Sequence, residues 1–137
     1  MDARPAPVSH RTVVSVLVAS VVTSVFHYLD NYLYIDEYPQ PDWIHRETVW
    51  IVWVLFTLLG AAAYLLYRNG SYGMTGAYML VYSYTGLSSF GHYFYGAPED
   101  FSTRMHVSIV ADVVVGTAVA LCGLALMIRA RRRTATT

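Results

Sequence analysis

The sequence predicts an all-α integral membrane protein folded as a four-helix bundle, and three observations predict it. Of 137 residues, 55% are hydrophobic and only 13% are charged, a charged share about half that of an ordinary soluble domain, near 25%. Mean hydropathy is +0.40. Four separate stretches each supply the roughly 20 mostly apolar residues that a membrane-crossing helix needs. Lipid offers no partner to an unpaired backbone group, so such stretches form helices rather than open sheets. The length fits a single transmembrane domain covering residues 1–137. Composition excludes several other classes. The one cysteine, Cys122, permits neither an internal disulfide nor a cysteine metal cluster. A formal net charge of zero argues against a nucleic-acid partner. Five prolines and nine glycines are too few for a disordered or fibrous chain.

The first span covers about residues 13–34, behind Arg4 and Arg11. Its apolar run is long and no small-residue cleavage site ends it, so it reads as a retained helix rather than a signal peptide. The second, about 48–67, follows the segment Pro41-Asp42-Trp43 and closes on Arg68-Asn69-Gly70. The third covers about 74–95 and the fourth about 106–128, which runs into Arg129, Arg131, Arg132 and Arg133. The connections are short, so sequential helices are antiparallel neighbours in the bundle.

Arginine sets the orientation. All nine basic residues are arginines, and seven of them lie at the termini or in the middle loop. Only Arg46 and Arg104 lie in the first and third loops, which instead carry Asp36, Glu37, Asp42, Glu47, Glu99 and Asp100. The positive-inside rule then puts both termini in the cytoplasm of a cell whose plasma membrane the chain spans several times. An Ala/Val-rich chain whose basic residues are all arginine suggests a GC-rich, bacterial genome.

The chain also repeats itself. Ser20, Thr23, Ser24, His27 and Tyr28 match Thr85, Ser88, Ser89, His92 and Tyr93 at a constant offset, hydroxyl for hydroxyl or identity for identity. A unit of two helices returns in the same orientation, so the repeat predicts a pseudo-two-fold axis along the membrane normal. At helical period, Ser20, Ser24, His27, Asp30, Asn31 and Tyr34 share one face of the first span. Tyr78, Tyr82, Thr85, Ser89, His92 and Tyr95 share one face of the third. Trp53, Thr57, Gly60 and Tyr64 mark the second span, and Ser108, Asp112, Gly116, Val119 and Gly123 the fourth. Polar and small residues face partner helices in membrane bundles, so these stripes point inward.

Four of the five histidines, His27, His45, His92 and His106, gather at one membrane depth. Neutral imidazole is the commonest metal ligand, so the four are candidate ligands for a divalent metal such as zinc or copper. His27 and His92 are also candidates for bis-histidine haem ligation, and His27 with Asp30 for acid–base chemistry. No HExxH, CxxC or ExxH motif accompanies them. A belt of interfacial aromatics explains the same positions without a ligand, because rings with a polar edge suit that depth. Asp112 lies inside the fourth span, where an acid is a functional candidate by default.

The order of these features resembles the EXPERA group, the emopamil-binding and sigma-2 receptor-like membrane proteins. The resemblance covers most of the chain. It rests on Asp30 near the outer end of the first span, on Pro41-Asp42-Trp43 leading into the second, on Arg68-Asn69-Gly70 after it, and on the polar segment with His106 before the fourth. The acid which that group carries inside its second helix has no counterpart here. What the resemblance implies is a pocket for a lipophilic small molecule, with or without a cationic group.

Three functions remain open on sequence. One is a membrane protein binding a lipophilic small molecule in a polar pocket near the outer face, with His27, Asp30, Tyr82, Ser89, His92 and Asp112 as ligand-binding candidates; aromatic faces and an acid suit such a ligand. The second is a metal- or haem-binding protein of redox chemistry or assembly. The third is an accessory subunit of a membrane complex. Transport through four such spans would need a homo-oligomer.

Overall fold

A computed structural model describes residues 6–135, so Arg4 lies outside the described residues. The described chain is all-α. It forms α1 (His10–Leu33), α2 (Arg46–Arg68), α3 (Tyr72–Leu87) and α4 (Thr103–Thr134), with no strand among the described residues. Helices α1, α2 and α4 are long and apolar enough to cross a membrane.

Local chemistry sets the boundaries. Ser9 caps α1 by accepting a hydrogen bond from the amide of Thr12, and Ser102 caps α4 by accepting one from Met105; each satisfies an amide that the helix itself leaves unpaired. Between α2 and α3 the chain reverses at Gly70, whose φ of 77° is in the left-handed region that glycine enters without strain. Pro39 and Pro41 keep the segment before α2 out of helix.

The third span departs from the sequence expectation of one helix over 74–95. Its α-helical part stops at Leu87 and tightens into a 3₁₀ helix over Ser88–Phe94. Ser88 Oγ donates to the carbonyl of Thr85, competing with the backbone for that acceptor, and Gly86 and Gly91 weaken the α-helical preference on either side. At rises of about 1.5 and 2.0 Å per residue the two pieces together still reach about 38 Å.

The helices form a ring. α1 and α3 each neighbour both α2 and α4, and they face each other across one diagonal. The α1–α4 and α2–α3 contacts are of similar extent, as a two-helix repeat would have them. The other two sides differ: α3 and α4 pack most closely and α1 and α2 most loosely. Glycine makes the close side. A Cβ on Gly76 would lie 2.5 Å from the carbonyl oxygen of Gly123, and one on Gly116 3.0 Å from that of Ser83. A Cβ on Gly86 would overlap the carbonyl of Asp112. Such small-residue contacts let membrane helices approach backbone to backbone.

Polarity is inverted relative to a soluble bundle. Ser20, Ser24, Thr75, Thr85 and Asp112 are buried, while Phe26, Leu55 and Val114 are 66%, 57% and 62% exposed. A contiguous apolar exterior of this kind suits lipid rather than water.

Candidate functional site

At the acidic end of the bundle, α1, the 3₁₀ helix and the loop between α1 and α2 converge. His27 comes from α1 and His92 from the 3₁₀ helix, and their ring centroids are 5.5 Å apart at an interplanar angle of 62°. The ring of Tyr38 lies 5.0 Å from His92 and 6.0 Å from His27. The two histidines thus meet across the diagonal, and both are buried.

A chain of hydrogen bonds fixes the polarity of this cluster. The carbonyl of Pro39 only accepts, so His92 Nδ1, 3.0 Å away, carries a proton and donates it. His92 Nε2 then accepts from Asn31 Nδ2 at 3.3 Å, and the same Nδ2 donates to Gln40 Oε1 at 3.1 Å. Gln40 Nε2 in turn donates to the carbonyl of Ile35 at 3.5 Å. The backbone carbonyls at the two ends of the chain leave one consistent assignment of tautomer and amide orientation. His27 Nδ1 lies 3.4 Å from Ser108 Oγ, which is itself 3.0 Å from the carbonyl of Met105. Ser108 Oγ also lies 3.3 Å from the Tyr38 hydroxyl, so its proton has three acceptors within reach and either tautomer of His27 satisfies Nδ1; His27 Nε2 has no partner among the described residues.

A cavity of about 290 Å³ opens beside this cluster, between α1, α2 and the end of α3. His27, Asn31, Ser89 and His92 give it a polar wall; Val49, Val52, Ile44, Tyr84 and Trp43 give it an apolar and aromatic one. No Asp, Glu, Lys or Arg lines it. It occupies the loosely packed α1–α2 side. A second cavity, of about 410 Å³, lies on the same side nearer the arginine-rich end, lined by His10, Leu17, Val21, Thr57, Gly60 and Tyr82 among others. Between the two, Trp53 Nε1 donates to Ser24 Oγ at 3.1 Å and ties α2 to α1.

Of the six ligand-binding candidates, His27, Ser89 and His92 line one cavity. Asp112 stands behind it, fully buried, accepting from Thr23 Oγ1 at 3.1 Å and from Ser89 Oγ at 2.9 Å. Asp30 turns away from it: it pairs with Arg104 and accepts from the Tyr38 hydroxyl at 2.5 Å. Arg104 also reaches Glu37 at 3.3 Å and stacks 3.7 Å over the ring of Tyr34. Asp30 therefore braces the loop over the cluster. It makes no hydrogen bond to His27, and the acid–base pair expected from their spacing does not form. Tyr82 lines the other cavity.

Of the four histidines named as candidate metal ligands, only His27 and His92 come together. His45 is exposed at the N-terminus of α2. His106 spends both ring nitrogens locally, on the Tyr93 hydroxyl at 2.7 Å and the Pro98 carbonyl at 3.2 Å. Among the described residues no group of three or more His, Cys, Asp or Glu side chains is placed to hold a metal ion. His92 has both nitrogens engaged, on Asn31 and Pro39, and meets His27 edge to face.

Sequence reasoning missed the loop. Nothing in the helical periodicity places Pro39 and Gln40 against His92. The one legible signal is the pair of prolines around Gln40, which stiffens the segment into an extended cover. No family model, no curated protein and no solved structure matches this chain.

Proposed function

We propose that this chain is a multi-pass protein of the plasma membrane, with both described ends on the cytoplasmic side, that binds a lipophilic small molecule in the cavity beside His27 and His92. The observation that carries the reading is the cavity itself: about 290 Å³, mostly apolar and aromatic walls, and a few buried polar groups on one side. That division of labour is typical of small-molecule sites, where apolar walls supply affinity and a few polar groups fix orientation. The cavity lies where two lipid-exposed helices are least tightly packed, so an apolar ligand can reach it from the bilayer. The resemblance to the emopamil-binding group points to the same ligand class. Because no carboxylate lines the cavity, a cationic group is no part of this proposal.

Filling the cavity tests it. Val52 is half-buried in the α2 wall. Protein in lipid nanodiscs is titrated with lipophilic probes, following the fluorescence of Trp43, which lines the cavity, against a Trp43→Phe control. Val52→Trp is expected to abolish saturable binding with the helical circular dichroism spectrum retained. Binding unchanged by Val52→Trp would place the ligand elsewhere and end the reading.

A further inference from the structure

Two polar atoms in the cavity wall have no hydrogen-bond partner. Asn31 Oδ1 is buried without a hydrogen-bond partner, on a residue only 5% exposed. The chain from Pro39 to Ile35 forbids the amide flip that would give it one, because Asn31 Nδ2 already serves His92 and Gln40. His27 Nε2 is the second. Both residues line the same cavity, and both are at least nine-tenths buried. A buried acceptor such as Asn31 Oδ1 left unpaired is unfavourable, and native proteins rarely keep one without something to satisfy it.

We infer that the occupant of this cavity is a neutral lipophile whose head group donates a hydrogen bond, an alcohol or phenol, with its one hydroxyl proton given to Asn31 Oδ1 and its oxygen beside His27 Nε2. The inference rests on the small-molecule reading above and narrows it. At Asn31 Oδ1 a carboxylate or ether head would set lone pairs against lone pairs. No acid lines the cavity, so an ammonium would be buried without a counter-charge, which costs far more than burying a hydroxyl. Asp112 does not change this, since it lies outside the cavity wall, behind Ser89, which donates to it. The apolar tail of the ligand extends along Val49 and Val52 toward the gap between α1 and α2.

The test compares 4-octylphenol with octylbenzene, with its methyl ether 4-octylanisole and with octylammonium, titrated into the full-length protein in nanodiscs and corrected for partition into empty ones. The phenol is expected to bind about tenfold or more tightly than octylbenzene and the ether, the range set by leaving a buried acceptor unserved. In His27→Phe, which keeps the aromatic packing and leaves Ser108 its bond to Met105, that preference should shrink several-fold while octylbenzene binds as before. If His27→Phe does not fold, the comparison in the native protein still decides. Equal affinity for phenol, ether and hydrocarbon would mean that water serves the two polar atoms; it would overturn the head-group inference and leave the small-molecule reading standing. Preference for octylammonium would overturn it as well. No saturable binding of any of the four, unaffected by Val52→Trp, would bring down both.

Discussion

Asp112 shows how a residue that looks functional in sequence is absorbed by structure. It is fully buried, and each carboxylate oxygen meets one hydroxyl, from Thr23 on the adjacent helix α1 and from Ser89 on the 3₁₀ helix. Thr23 Oγ1 also lies 3.3 Å from the carbonyl of Ser20, so it can donate there and accept from an amide instead. Asp112→Asn is therefore expected to be nearly silent in stability, with Asn Nδ2 toward Thr23 and Oδ1 toward Ser89. Asp112→Leu strands the Ser89 hydroxyl and should cost about 1–3 kcal/mol. Reversible unfolding in mixed micelles separates the two, and equal losses would contradict this hydrogen-bond assignment. Tyr38 is the complementary case at the exposed end. Burial first, and then its hydrogen bond to Asp30, push its phenol above the ordinary tyrosine value. A raised value in the folded state means that the stabilisation is fully present below about pH 10, the unfolded value, and is lost as pH rises beyond it. Tyr38→Phe should cost about 1.5–3 kcal/mol at neutral pH, as a bond to a charged group does, and should flatten the alkaline loss of stability. An alkaline profile identical to that of the native protein would refute the assignment.

At the scale of elements, the inward faces were legible because membrane helices reverse the usual contrast. Ser20, Ser24 and His27 on α1 and Asp112, Gly116 and Val119 on α4 are buried as the period of their stripes requires. Tyr34 and Tyr95, at the ends of those stripes, are exposed, because the helices have ended or tightened before them. The break at Leu87 was not legible, since Gly86, Ser88 and Gly91 read equally well as small residues where α3 meets α4. Gly86 sits at that meeting, and an added Cβ would collide with the backbone of Asp112, which no rotamer change relieves. Gly86→Ala should push α3 and α4 apart and destabilise by about 1–3 kcal/mol, the range for overpacking a close contact. Gly91→Ala is the control: a Cβ there meets nothing within 4 Å, so its effect on stability should be within about 0.5 kcal/mol. If the two alanines behave alike, the glycine contact is not what holds the tight side of the ring together.

For the whole molecule, the His27–His92 meeting could be anticipated from a repeat, whereas the cavity beside it could not. A cavity records how loosely two helices pack, and the loose α1–α2 side and the tight α3–α4 side carry similar apolar residues in sequence. The glycines differ, and so do the loops, which lie outside any periodicity. Orientation belongs to this scale as well, and the structure sharpens the argument from charge. The two arginines at the acidic end are both paired: Arg104 with Asp30 and Glu37, and Arg46 with Asp36 at 3.5 Å. Their charge is locally balanced, so they offer little against the arginines at the opposite end, where Arg129 also holds the N-terminal segment by donating to the carbonyl of Pro7 at 2.7 Å. The described chain ends of α1 and α4 thus meet at the arginine-rich end, the end we propose to be cytoplasmic on the positive-inside rule. Single cysteines in a Cys122→Ser background read this directly. A cysteine replacing Trp43, 66% exposed at the acidic end, should react with a membrane-impermeant maleimide in intact cells. A cysteine replacing Ala135, just past the end of α4, should react only after the membrane is permeabilised. The reverse pattern would invert the topology and put the cavity in the cytoplasmic half of the bilayer, and labelling of both sites in intact cells would mean that the chain inserts in two orientations.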